Sequence, residues 1–284
     1  MSTYKSFAVV GGGTVGLPIV RALAAQHVSV VLLFRPESAT KPVPPGVQVA
    51  KVDYNDAPAV AAVFKEHKVD VVLSTLGLRA AGAQKPLVKA TKLADVKLFA
   101  PSEYGMPTDS YTEGFLGEKK QIAGERIHRD LKAAGIPSVR FYTGTFIENV
   151  PSLVGYPEHG KVQIVGKGET PVSFASIADI AGFFAHVLTT LPPSELENQV
   201  FRLEGHRASL NELGALFKTS VEHEDHIARE GGFNLWAVLD SGEGSTGWDE
   251  ATKSEGSERS WECECVMAEA QVAERKCTTF NCAG

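Results

Sequence analysis

The stretch from Phe7 to Gly16 constrains the fold more than any other part of the chain. Phe7-Ala8-Val9-Val10 is an apolar run rich in strand formers that breaks at Gly11-Gly12-Gly13. Leu17 to Ala25 then carries helix formers, with Pro18 tolerated in a first turn. The pattern predicts strand, tight turn and helix. Gly11, Gly13 and Gly16 fall as G-x-G-x-x-G, the spacing of a dinucleotide-binding turn, with Thr14 and Val15 inside it. Gly11 would permit the turn, Gly13 would let backbone approach a pyrophosphate, and Gly16 would let the helix pack on the strand. The helix N-terminus would offer free N–H groups and a positive dipole end to the phosphates. Three adjacent glycines alone also make a plain flexible turn; their place between an N-terminal strand and a helix favours the nucleotide reading.

A chain of 284 residues is long enough for one large or two modest domains. No apolar stretch approaches the length of a membrane span, and the N-terminus lacks the basic-then-apolar pattern of a signal peptide. The expected location is cytoplasmic, with no membrane partner. The net charge of −6 is uneven, because Thr219 to Gly284 holds 14 acidic and 5 basic residues, net −9, and leaves +3 for the rest. A mildly basic body suits an anionic cofactor, and no arginine-rich stripe points to nucleic acid. Cys263, Cys265, Cys277 and Cys282 all lie in the last 22 residues, with a spacing that lacks the usual pair of a structural zinc site. They read as solvated thiols. His223 and His226 are three apart without a third partner, so no metal site is expected.

After the first helix, Val28 to Phe34 is a continuous apolar run, the pattern of a strand buried on both faces of a parallel sheet. It ends at Arg35. A pocket for NAD places Asp or Glu there to accept the ribose hydroxyls, whereas Arg suits the 2′-phosphate of NADP. Gly46 to Asp53 reads as a third strand, and Asp53 at its end either approaches the adenine or caps the next helix. A helix over residues 57 to 66 and a strand from Val69 to Thr75 follow, ending in Leu76-Gly77. Small residues here, Thr75 and Gly77, fit the crevice where ligands lie in open α/β sheets. A helix from Gln84 to Leu93 and a strand from Val96 to Ala100 continue the alternation. The expected fold is α/β, a doubly wound parallel sheet of Rossmann-like, NAD(P)-binding type.

That fifth strand runs into Pro101-Ser102-Glu103-Tyr104-Gly105. Strand-Pro-Ser-Glu-Tyr-Gly after a glycine-rich start resembles the NmrA-like group of atypical short-chain dehydrogenases, which includes isoflavone reductase-like and phenylcoumaran benzylic ether reductase enzymes. Gly135-Ile136-Pro137 before a strand, Phe146, Gly166-Lys167-Gly168, Val172-Ser173-Phe174, Asp179-Ile180-Ala181 and Ser209 to Leu213 sit in the same order. The resemblance spans roughly residues 5 to 217. It implies NADPH as cofactor, Pro101 and Ser102 among the cofactor contacts, and a smaller C-terminal substrate lobe.

Ordinary short-chain dehydrogenases pair Tyr with Lys four residues on, so that the lysine lowers the phenol's pKa. None of the six tyrosines has that partner. The resembled reductases instead carry a lysine at the start of the helix after Ser-Glu-Phe/Tyr-Gly, which points here to Lys119 and Lys120 as candidate acid or base; both also read as solvated helix-start residues. Lys119 meets the family spacing to Gly135-Ile136-Pro137 only if about five residues, Ala123 to Ile127, loop out, with Gly124 as the place to break. Left helical, they rotate it by an excess of about 140°. Ser138 also stands where the reductases show Tyr. Tyr104 and Phe146 are candidate substrate-pocket walls, and each reads equally as core.

The expected organisation is a cofactor-binding domain over residues 1–150, a smaller interleaved lobe over 151–218, and a flexible or irregular tail over 219–284. The stretch Ser241 to Trp248, rich in Gly and Ser, reads as solvated. Two functional classes fit. One is an NADPH-dependent reductase of a small phenolic or related organic substrate. The other, implied by the resemblance, is a non-catalytic NAD(P)-sensing regulator with a protein partner.

Overall fold

The computed structural model describes residues 3–77, 82–108, 116–224, 239–249, 254–255, 260–263 and 280–282. The chain divides into two units, and the first comprises Met1–Ser102, Ile122–Arg140 and Ile180–Val200. Its centre is β1 (Ser6–Val10), buried at every position. It pairs in parallel with β2 (Ser29–Phe34) on one side and, with Val10 opposite Ser74, with β4 (Val71–Ser74) on the other. Here β3 (Gln48–Lys51) and β5 (Leu98–Ala100) complete the order β3-β2-β1-β4-β5, all parallel. This is the doubly wound sheet expected from the alternating apolar runs.

The helices follow their sequence signals closely. In α1 (Gly16–Ala25), Ile19, Val20 and Leu23 bury one stripe, three or four residues apart as a helix requires. In α2 (Ala57–Glu66), Asp56 caps the start by accepting from Ala59 N at 3.0 Å. α3 (Gln84–Leu93) and α4 (Leu116–Ala134) follow. One core joins Ala8, Val10, Val31 and Leu33 of the sheet to Val60 and Phe64 of α2, Leu87 of α3 and Leu131 of α4.

Asp70 staples the start of this sheet. Its carboxylate accepts from Lys5 N at 3.0 Å, Ser6 N at 3.2 Å and Lys97 Nζ at 2.6 Å, tying together the chain at the starts of β1, β4 and β5. Burial opposes ionisation, but the hydrogen bonds from Lys97, Lys5 and Ser6 outweigh it and hold the carboxyl below its ordinary 3.8. Stability from a depressed acid is present above its unfolded pKa and is lost as pH falls through the folded one. Asp70→Asn is therefore expected to cost about 1 kcal/mol at neutral pH, with the gap from the parent closing below pH 3.8. Urea unfolding midpoints at neutral and acid pH check this.

The second unit comprises Glu103–Gln121, Phe141–Asp179 and Phe201–Gly284. Its elements in chain order are β6 (Arg140–Tyr142), β7 (Thr145–Phe146), α5 (Val150–Leu153), α6 (Tyr156–His159), β8 (Val162–Val165) and β9 (Pro171–Ala175). Next come β10 (Val200–Glu204), β11 (His206–Ser209), α8 (Leu210–Leu216) and β12 (Val221–Glu224), while α7 (Ile177–Thr190), which precedes them in the chain, belongs from Ile180 onward to the first unit. The short strands β13 (Trp248–Asp249), β14 (Ser254–Glu255), β15 (Ser260–Cys263) and β16 (Phe280–Cys282) complete the set. They assemble as β16-β15-β10-β6, β11-β9-β7, β12-β8 and β13-β14. Ser209 and Glu212 form a reciprocal capping box at the start of α8. The side chains of all four cysteines lie outside the described residues.

The Gly/Ser-rich stretch departs from its solvated reading. Leu239 is fully buried in a core with Val172, Phe174, Leu210 and Leu213, and Ser245 and Thr246 are buried as well. Asp240 accepts from Lys167 N at 3.2 Å and Gly168 N at 3.0 Å, while its carbonyl takes the Thr170 hydroxyl at 2.7 Å. Ser173 N donates to Gly244 O at 3.1 Å and Thr246 N to Ser173 Oγ at 3.0 Å. Small residues here permit close backbone packing. They do not mark solvation.

Candidate functional site

The sheet order reverses at β1 and β4, and a crevice opens beyond the strands' carboxyl ends at such a point. There the glycine turn is held by contacts that only glycine allows. Gly11 has φ +106°, and its N–H donates to Leu33 O at 3.1 Å. A Cβ on Gly16 would lie 2.0 Å from Gly11 O and 2.6 Å from Thr75 Oγ1; one on Gly12 would lie 2.4 Å from the Phe34 ring. Gly13 differs, because nothing lies within 4 Å of its Cβ position. The turn is packed on its inner side and open at Gly13.

The N–H groups of residues 12–16 make no hydrogen bond among the described residues, although Gly12 and Gly16 are buried. Val15 occupies the N-cap and offers no side-chain acceptor. Thr14 is exposed beside it. Helix starts ordinarily satisfy such donors with Ser, Thr, Asp or Asn, and α2 does so with Asp56. Left uncapped, these donors at the positive end of α1 are of the kind that can receive an oxyanion.

Thr75 sits against this turn but faces inward. Its hydroxyl donates to Gly11 O at 2.6 Å and lies 3.1 Å from Val10 O. It holds the turn's shape from behind. Gly77 has open space where a side chain would be. Past β5, Pro101 is buried, Ser102 Oγ donates to Leu76 O at 2.8 Å and Ser102 N donates to Gln84 Oε1 at 2.9 Å. Ser102 therefore joins the ends of β4 and β5.

Arg35 projects just beyond β2, with its Nε 3.2 Å from Glu37 Oε1. Lys51, opposite Phe34 in the β2/β3 register, donates from Nζ to Pro36 O at 3.4 Å. Neither Glu37 nor Lys51 was among the sequence candidates; the signal available was opposite charge two residues from Arg35 across a proline. Asp53 lies beyond β3, where Oδ1 accepts from Asn55 N at 2.9 Å and Asn55 Nδ2 at 3.0 Å, so it closes a local turn while Asp56 does the helix capping. Next to it, Tyr54 donates to Leu33 O at 2.7 Å. Burial pushes this phenol up to about 12, with Arg35 pulling it down and Glu37 pushing it up.

Among the second unit's candidates, Tyr104 is half-buried, and burial followed by the Glu103 carboxylate pushes its hydroxyl far up. Glu103 is buried and accepts from the Thr108 hydroxyl, which stands 3.5 Å from Tyr142 OH. Phe146 is half-buried and pairs with Ala175 of β9. The side chains of Lys119 and Lys120 lie outside the described residues. Their backbone does not loop as the family spacing needs: α4 runs unbroken through Gly124, so the backbone of Lys119 stays rotated by about 140° from that position. Among the described residues, no group of three His, Cys, Asp or Glu gathers as a metal-ligand set, and no helix is long and apolar enough to cross a membrane.

Comparison with known proteins agrees with this geometry. The chain is 30% identical to the isoflavone reductase homolog P3 of Arabidopsis thaliana over 243 residues, covering 78% of this chain and 76% of that protein. It is 27% identical to a phenylcoumaran benzylic ether reductase of Ginkgo biloba over 226 residues, covering 74% of this chain and 72% of that protein. The fold matches the leucoanthocyanidin reductase–NADPH complex of Vitis vinifera with a TM-score of 0.67 at 22% identity over 77% of each chain. The sequence model of the NmrA-like family matches residues 3–226, and the chain belongs to that family.

Proposed function

We propose that this chain is an NADPH-dependent reductase of a small phenolic or related organic substrate. The observation that carries the reading is the row of unpaired N–H groups over residues 12–16 on an open glycine turn, with Arg35 at the end of the neighbouring strand. The bound dinucleotide would supply a hydride. Residues 12–16 would hold its pyrophosphate, Arg35 its 2′-phosphate, and Thr75 and Ser102 would fix the backbone that receives it. Lys119 and Lys120 are proposed to supply the proton, and Tyr104 and Phe146 to wall the substrate. The relatives named for isoflavone and phenylcoumaran benzylic ether reduction support this substrate class.

The test is cofactor binding by calorimetry, followed by NADPH consumption with a panel of isoflavones and phenylcoumaran-type ethers. Turnover of any panel member with NADPH binding at least about tenfold tighter than NADH, about 1.4 kcal/mol, is the expected result. Tight binding with no consumption across the panel overturns the reductase reading in favour of a nucleotide-sensing regulator.

A further inference from the structure

We propose that Glu37 sets the cofactor selectivity of this chain by competing with the 2′-phosphate for Arg35; this rests on the NADPH reading above. The two residues occupy set positions in one turn. Ser38 N donates to Arg35 O at 3.0 Å, closing Arg35-Pro36-Glu37-Ser38 with proline at the second position, where its fixed φ suits a β-turn. Lys51 Nζ bonds the Pro36 carbonyl at 3.4 Å and ties the turn to β3, while Tyr54 bonds the Leu33 carbonyl at 2.7 Å beneath it. The turn thus holds the two residues near enough for Arg35 Nε and Glu37 Oε1 to stand 3.2 Å apart.

Both side chains are more than half exposed, at 58% and 66%, so the pair is weak and a ligand can open it. Glu37 engages Nε of Arg35, so a 2′-phosphate arriving at the guanidinium shares it with the Glu37 carboxylate and must sit beside that charge or displace it. Like charges at that separation repel even through water. A ribose carrying a plain 2′-hydroxyl meets the opposite situation, since the carboxylate can accept its hydrogen bond. Arg35 therefore favours the phosphorylated cofactor, and Glu37 returns part of that preference to NADH. The turn carries a receptor for each ribose, and the two neutralise one another in the free protein.

The experiment titrates the full chain and its Glu37→Gln and Arg35→Gln variants with NADPH and NADH, at low and high salt. Glu37→Gln is expected to bind NADPH about threefold to tenfold tighter and NADH no tighter, so that the selectivity ratio rises by at least that factor. The gain should shrink at high salt, as a charge effect at an exposed site must and a packing effect need not. Arg35→Gln is expected to weaken NADPH at least tenfold. An unchanged ratio in Glu37→Gln, with Arg35→Gln still weakening NADPH, overturns the role of Glu37 and leaves the cofactor reading standing. Failure of the parent chain to bind either nucleotide overturns the cofactor reading and this proposal together.

Discussion

Gly16→Ala is expected to abolish dinucleotide binding and to lower stability by about 1–3 kcal/mol, whereas Gly13→Ala is expected to weaken binding at least tenfold and leave stability unchanged. The contrast comes from where each new methyl would go. At Gly16 it would stand 2.0 Å from the Gly11 carbonyl and 2.6 Å from the Thr75 hydroxyl, groups bonded to each other at 2.6 Å. Relief requires moving α1 away from the turn or breaking the bond that shapes it. Either movement displaces the N–H groups over residues 12–16. At Gly13 the methyl meets no protein atom within 4 Å, so folding does not register it, and it fills the space into which those donors open. Thermal melts read the stability term and calorimetric titration with NADPH reads the binding term. Equal loss of stability in the two variants would mean that the turn is a structural device and no receptor.

The first unit was legible in the sequence because its signals are local. Continuous apolar runs marked strands buried on both faces, and helix boundaries at residues 57–66 and 84–93 coincide with α2 and α3. The glycine spacing marks the turn after β1, and the sheet order places that turn where the strand sequence reverses. What the spacing could not show was direction. Thr75 and Ser102 follow β4 and β5, and their hydroxyls turn back to the carbonyls of Gly11 and Leu76. The Glu37 partner of Arg35 does not show in the strand pattern, because it depends on the turn closed by Ser38 N. Spacing in a family pattern also says nothing about whether extra residues bulge or wind into a helix. Through Gly124 they wind, and the candidate lysines move with them.

The second unit was harder to read because its pairings are long-range. β7 lies parallel to β9, and β10 joins β6 to β15 across far-separated parts of the chain. Composition is a poor guide to such packing, and Leu239→Ala tests the point. It is expected to cost about 2–5 kcal/mol, the range for truncating a fully buried leucine. Leu239 packs with Val172, Phe174 and Leu213, and its Cδ2 lies 2.9 Å from where a Cβ on Gly244 would stand. Gly244 is therefore glycine because the leucine folds over it, and the hydroxyls of Ser245 and Thr246 hydrogen-bond inside the unit, to Arg207 and to Ser173 Oγ. The same substitution at Leu93, 45% exposed at the end of α3, is expected to stay within about 0.5 kcal/mol. Urea unfolding of both variants compares identical chemistry in two environments. Were Leu239→Ala as mild as Leu93→Ala, the Gly/Ser-rich stretch would be solvated as its composition suggests, and the core of the second unit would close without it.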